Sequence, residues 1–136
     1  MAATQIAQMI GANVYGTASA PKWDTLREMK IASEAIASSR TLEFAERFAG
    51  NKMDVVLNAL AGEFVDASFS LLSEEGRFLE MGKTDIRSGE WLEQNHPSAY
   101  YNAFDLLEAG EDKIQSMLVS IAQCLTDGWL KPLPHQ

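Results

Sequence analysis

The stretch Asp54 to Leu60 (DVVLNAL) constrains the fold of this chain most, because it opens with a continuous apolar run. Such a run is expected of a strand covered on both faces, as in a parallel sheet. A helical pattern follows from about Glu63 to Leu72, with Phe64, Ser68, Leu71 and Leu72 along one face. A Glu-Glu-Gly turn and a second strand, Arg77 to Met81, complete a βαβ unit.

The rest of the chain extends that alternation. Ala3, Ile6, Ala7 and Ile10 lie at helical spacing and Gly11 follows where a helix commonly ends. Asn13 to Thr17 reads as a short strand, and Pro21 suits the first turn of a helix running to about Lys30. Glu34 to Ser38 is a weaker strand, after which Thr41 is placed to cap a helix carrying Phe44, Ala45 and Phe48 and closing at Gly50. Beyond Gly82 comes a long polar segment, then a strand from Tyr100 to Phe104. Ile114, Met117, Leu118, Ile121, Ala122 and Leu125 form the apolar face of a last helix, stopped by Gly128 before an extended tail from Trp129 to Pro134. Strands and helices alternating in this way predict an α/β fold: a doubly wound parallel sheet of the Rossmann type.

Composition narrows the function. Of 136 residues, 11 are Lys or Arg and 19 are Asp or Glu, and a formal charge of −8 repels a phosphate backbone; nucleic acid is not an expected partner. No apolar run reaches the roughly 18 residues of a membrane span, and no secretion signal opens the chain, so a cytoplasmic protein is expected. The single cysteine, Cys124, reads as a buried, inert thiol on the last helix. His96 and His135 lack second ligands at metal spacing, and no metal site is expected.

In doubly wound sheets the ligand lies over the carboxyl ends of the strands. Those ends are Thr17 to Lys22, Ser38 to Arg40, Asn58 to Leu60 and Met81 to Asp85. A sheet that binds NAD usually carries an acid at the end of its second strand, for the ribose hydroxyls. Here Thr17, Ser19 and Lys22 offer hydroxyls and a cation, which suits the additional 2′-phosphate of NADPH. Lys22 alone also fits a solvated residue in a first helical turn; Arg40, ending the neighbouring strand, can approach the same phosphate or the adenine face. Gly82 lets backbone approach a nicotinamide, which places Lys83 near the reacting carbon. Asp105 either pairs with Lys83 or caps the next turn, and a surface ion pair is the default reading of the two.

The runs Ile36 to Phe48 (IASSRTLEFAERF), Asp54 to Ala67 (DVVLNALAGEFVDA), Gly76 to Arg87 (GRFLEMGKTDIR) and Ala103 to Gly110 (AFDLLEAG) closely resemble the enoylreductase domain of modular type I polyketide synthases, in the medium-chain dehydrogenase/reductase superfamily. The resemblance implies NADPH-dependent reduction of an α,β-unsaturated thioester borne on the phosphopantetheine arm of an acyl carrier protein. By the same resemblance, Thr17, Ser19, Lys22, Ser39 and Arg40 match the adenine-ribose and 2′-phosphate site. Asn58, Leu60, Met81 and Gly82 match the nicotinamide end, with Ala59 where the family often has serine. Lys83 and Asp105 match the lysine and aspartate proposed as proton donors. The implied partners are the acyl-carrier-protein-bound enoyl thioester, the remaining enoylreductase lobe and other polyketide synthase domains.

Relatives also carry a strand and a glycine-rich turn before the position of Met1, and a preceding substrate-binding domain. The expectation is an N-terminally truncated domain: without the central first strand of the usual 3-2-1-4-5-6 order, two apolar sheet edges are left unpaired and the isolated chain is inactive. The alternative to a reductase segment is a non-catalytic nucleotide-binding or interaction domain. A methyltransferase ranks last, because the second strand lacks the acid that usually holds its cofactor's ribose.

Overall fold

The computed structural model describes residues 1–133. In chain order the elements are α1 (Ala2–Met9), β1 (Gly16–Ala18), α2 (Trp23–Glu28), β2 (Ile36–Ser38), α3 (Glu43–Phe48), β3 (Met53–Asn58), α4 (Glu63–Ser70), β4 (Leu72–Glu80), α5 (Gly89–Asn95), β5 (Tyr100–Ala103) and α6 (Glu111–Thr126). They fall into two compact units, one built from residues 1–40 and 106–133, the other from Thr41–Asp105.

In the first unit β1 pairs in parallel with β2, with Thr17 opposite Ala37. Leu26 of α2 packs with Ile31, Ala35 and Ile36, and Val14, Tyr15 and Trp23 close over them. A Cβ at Gly16 would make ordinary van der Waals contact with Leu26 and Ile31, at 3.7 and 3.8 Å, so this core has room for a side-chain carbon there. Both strands are shorter than their apolar patterns suggest: Asn13–Tyr15 precedes the ladder, and a 3-10 turn over Ser33–Ala35 takes the start of the second. The chain leaves α2 through Lys30 at φ 66°, a left-handed position usually given to glycine. α6 is the expected amphipathic helix and Gly128 follows it at φ 76°, but none of its residues is buried and Leu118, Val119, Ile121 and Leu125 are exposed. Cys124 is half-buried rather than buried. His135 and Pro134 lie outside the described residues.

In the second unit β3, β4 and β5 form a parallel sheet in that order. The sheets thus hold the strands in the expected adjacency. The Glu-Glu-Gly turn sits inside β4, as an irregularity between the pairs Met53–Leu72 and Val55–Arg77. Gly76 is required there, since a Cβ would lie 2.6 Å from Leu72 Cγ.

The core of this sheet is Val65, Phe69, Leu72 and Phe78, with Trp91 and Tyr101 against it. Phe69 and Phe78 stack at 3.9 Å between centroids. Burying each such ring stabilises the fold by roughly 1.5–3 kcal/mol. Of the expected face, Ser68, Leu71 and Leu72 are buried, but α4 ends at Ser70, so that Leu72 already belongs to β4, and Val65 and Phe69 are buried with Ser68; Phe64 is half-buried and stacks on Phe44 of α3 at 6.4 Å.

Three local expectations are corrected. Thr41 does not cap α3: its hydroxyl donates to the Glu43 carboxylate at 3.0 Å, and the position before the helix is Leu42, with no side-chain cap. The polar stretch after Gly82 contains a helix, α5, capped by Ser88 accepting the Trp91 N–H at 3.2 Å. β3 is not covered on both faces among the described residues, since Val55 is 55% and Leu57 44% exposed. No helix among the described residues is long and apolar enough to cross a membrane.

His96 stacks on Phe69 with centroids 4.7 Å apart and lies 5.4 Å from the Trp91 ring. Desolvation holds its pKa below the ordinary 6.5, against an upward pull from Asp66. The native state thus disfavours the proton that the unfolded chain accepts, so stability is full above about pH 6.5 and is lost as pH falls through the lowered value. The expected result is a melting temperature that declines from pH 7 to 5 and declines less in His96→Phe; equal slopes would remove His96 from the effect.

Candidate functional site

At the carboxyl end of the first sheet, the Ala18 carbonyl gathers the two chains that leave it. It accepts the Ser39 N–H at 3.1 Å and the Trp23 indole N–H at 3.0 Å. The Ser19 carbonyl takes the Lys22 N–H at 2.9 Å, which forms the short turn over Ala20–Lys22. The Ser38 hydroxyl takes the Arg40 N–H at 3.0 Å. These bonds bring Thr17, Ser19, Lys22, Ser39 and Arg40 to one sheet end. Among the described residues neither the Lys22 ammonium nor the Arg40 guanidinium has a carboxylate partner, and the nearby Asp24 is taken by Arg27 at 2.6 Å. Two unneutralised cations beside hydroxyls fit an anionic ligand such as a phosphate.

At the carboxyl end of the second sheet stand Asn58, Leu60, Met81, Gly82, Lys83 and Asp105. The Asn58 carbonyl accepts the Met81 N–H at 2.9 Å, its Nδ2 donates to the Leu60 carbonyl at 2.9 Å, and its Oδ1 accepts the Leu60 N–H at 3.3 Å. Lys83 Nζ meets Asp105 Oδ2 at 2.5 Å, so the pairing of those two is realised rather than a turn cap alone. Gly82 has an internal reason to be glycine: a Cβ there would lie 2.7 Å from Glu80 Oε1.

The sequence reading missed two residues. Glu80 is buried and accepts from Asn58 Nδ2 at 2.7 Å and Gly82 N–H at 2.6 Å. Arg87 reaches Asp85 at 2.6 Å and Asp66 at 2.8 Å while lying 5.2 Å over the Trp91 ring, and Asp85 in turn accepts the Gly62 N–H at 2.6 Å. The loop after Lys83 is thereby tied to the start of α4. A lone acid closing an apolar strand (RFLEMG) and the Asp-Ile-Arg triplet were the available signals.

A family profile described as "Zinc-binding dehydrogenase" matches residues 1–121. The nucleotide-binding subdomain of the enoylreductase domain of PpsC from Mycobacterium tuberculosis superposes with a TM-score of 0.79 at 33% identity, covering 96% of this chain and 78% of that one. The chain belongs to the zinc-binding dehydrogenase family, among the enoylreductase domains of polyketide synthases. The CurK enoyl reductase superposes on this family member with a TM-score of 0.90 at 40% identity, over 98% of this chain and 42% of that one. Polyketide synthase GfsB of Streptomyces halstedii is 53% identical over 136 residues, all of this chain and 2% of that protein. The enoylreductase segment thus spans a few per cent of the length of such a synthase. Despite the family's name, the described residues contain no group of three or more His, Cys, Asp or Glu placed to hold a metal ion.

Proposed function

We propose that this chain is the cofactor-binding part of an NADPH-dependent enoyl reductase acting on the α,β-unsaturated thioester of an acyl-carrier-protein-bound polyketide intermediate. The observation that carries the reading is the Lys83–Asp105 pair at 2.5 Å, held beside Gly82 at the carboxyl end of a parallel sheet. Bound NADPH would supply the hydride that goes to the β-carbon. Thr17, Ser19 and Ser39 would hold the adenosine ribose, and Lys22 and Arg40 its 2′-phosphate. Asn58, Leu60, Met81 and Gly82 would border the nicotinamide. Lys83 would give a proton to the α-carbon, or orient a water that does, while Asp105 keeps the ammonium in position. The similar proteins are far longer polyketide synthases, which supports neighbouring synthase domains, and with them the other enoylreductase lobe, as the partners of this segment.

The test uses a complete enoylreductase domain carrying this segment, NADPH deuterated at the transferable position, and an enoyl pantetheine thioester. One deuterium at the β-carbon of the saturated product is expected. Bound NADPH with no transfer would favour a non-catalytic nucleotide-binding domain and contradict the proposal.

A further inference from the structure

Glu80 closes β4 as a carboxylate only 1% exposed. Among the described residues it forms no ion pair, so its charge is balanced by hydrogen bonds alone, an arrangement that persists only if well satisfied. Oε1 accepts the Gly82 N–H at 2.6 Å and Oε2 accepts Asn58 Nδ2–H at 2.7 Å. The Glu80 carbonyl accepts the Phe104 N–H at 3.1 Å. One residue therefore bonds directly to the end of β3 through Asn58, to the residue before Lys83, and to the residue before Asp105. The fit is close: a Cβ at Gly82 would lie 2.7 Å from Oε1, so any side chain there has to displace the carboxylate.

We propose that Glu80 is a positioning residue of the reductase site, setting the Asn58 amide and the Gly82–Lys83 backbone in register with Asp105. The inference rests on the functional reading above. A carboxylate is required because both of its side-chain partners are N–H donors. Glutamine has nearly the same volume but a single acceptor oxygen, so its NH₂ faces a donor and one of the two bonds is lost. The strand ends then shift while the outer surface of the sheet is unchanged.

The experiment compares wild type and Glu80→Gln in a complete enoylreductase domain carrying this segment, measuring NADPH affinity by titration and hydride transfer in a single turnover. Misplacing reacting groups by about 1 Å can cost about 10²-fold. Hydride transfer in Glu80→Gln is expected to slow by roughly 10- to 100-fold, with NADPH affinity close to wild type. A lowered melting temperature with an unchanged transfer rate in the folded protein would show a merely structural role and overturn the inference. Should Glu80→Gln not fold, Gly82→Ala takes its place, because its Cβ displaces the carboxylate without removing the charge; an unchanged transfer rate there also overturns the inference. Absence of NADPH binding by the wild type would instead overturn the functional reading, and is distinguishable because it precedes any variant.

Discussion

Replacing Lys83 with alanine in the complete domain is expected to slow thioester reduction by about 10²- to 10⁴-fold, the range typical of a lost general acid. The fold should tolerate the change. The Lys83 side chain is 69% exposed and its partner Asp105 32% exposed, and ion pairs in such settings stabilise a protein by about 0–1 kcal/mol. Lys83 also has no place in the aromatic core of Phe69, Phe78 and Tyr101. The rate loss is therefore predicted without a matching loss of melting temperature or of NADPH affinity. Asp105→Asn should lose less, because the ammonium remains and only its anchor weakens. Hydride transfer at the wild-type rate with normal α-protonation in folded Lys83→Ala would remove Lys83 from the mechanism, and an equivalent drop in melting temperature would reduce it to a loop contact.

The elements legible in the sequence were those whose pattern depends on their own residues. The apolar run at Asp54 to Leu60 gave β3, the helical spacing of Ile114 to Leu125 gave α6, and the strand ends named two sets of candidate site residues, each of which lies at one sheet end. Element ends moved where tertiary contacts decide them, as at Ser33–Ala35, where a 3-10 turn replaced the first part of a strand. α5 was hidden because Gly89–Asn95 has few apolar residues, and its stability comes from the Ser88 cap and from Trp91 and Leu92 packing on the Phe69–Phe78 core. Glu80 was hidden for another reason. An isolated glutamate reads as solvated, and its burial follows from Asn58, which is 22 residues away in sequence and adjacent only once β3 and β4 pair. The exposed Val55 and Leu57 show the same limit from the other side, because an apolar run reports a preference for burial and not which surface provides it.

The second large effect concerns cofactor choice, and it rests on charge at one sheet end. Thr17 to Lys22 and Ser38 to Arg40 contain no acid, and the closest one along the chain, Asp24, is paired with Arg27 at 2.6 Å. A carboxylate that would favour ribose hydroxyls and repel a phosphate is therefore absent from these segments, while Lys22 and Arg40 attract one. Charge-assisted contacts contribute roughly 1.5–3 kcal/mol each, and about 1.4 kcal/mol is tenfold in affinity. Lys22→Ala and Arg40→Ala should each weaken NADPH about tenfold or more and leave NADH nearly unchanged. Both losses should shrink at high salt, because the two side chains are exposed and ions screen them. The most direct measurement of the whole account is the calorimetric affinity of the complete wild-type domain for NADPH and for NADH under the same low-salt conditions. The account predicts NADPH tighter by about a hundredfold or more, the combined effect of two such contacts; equal affinities, or no binding of either nucleotide, would contradict it.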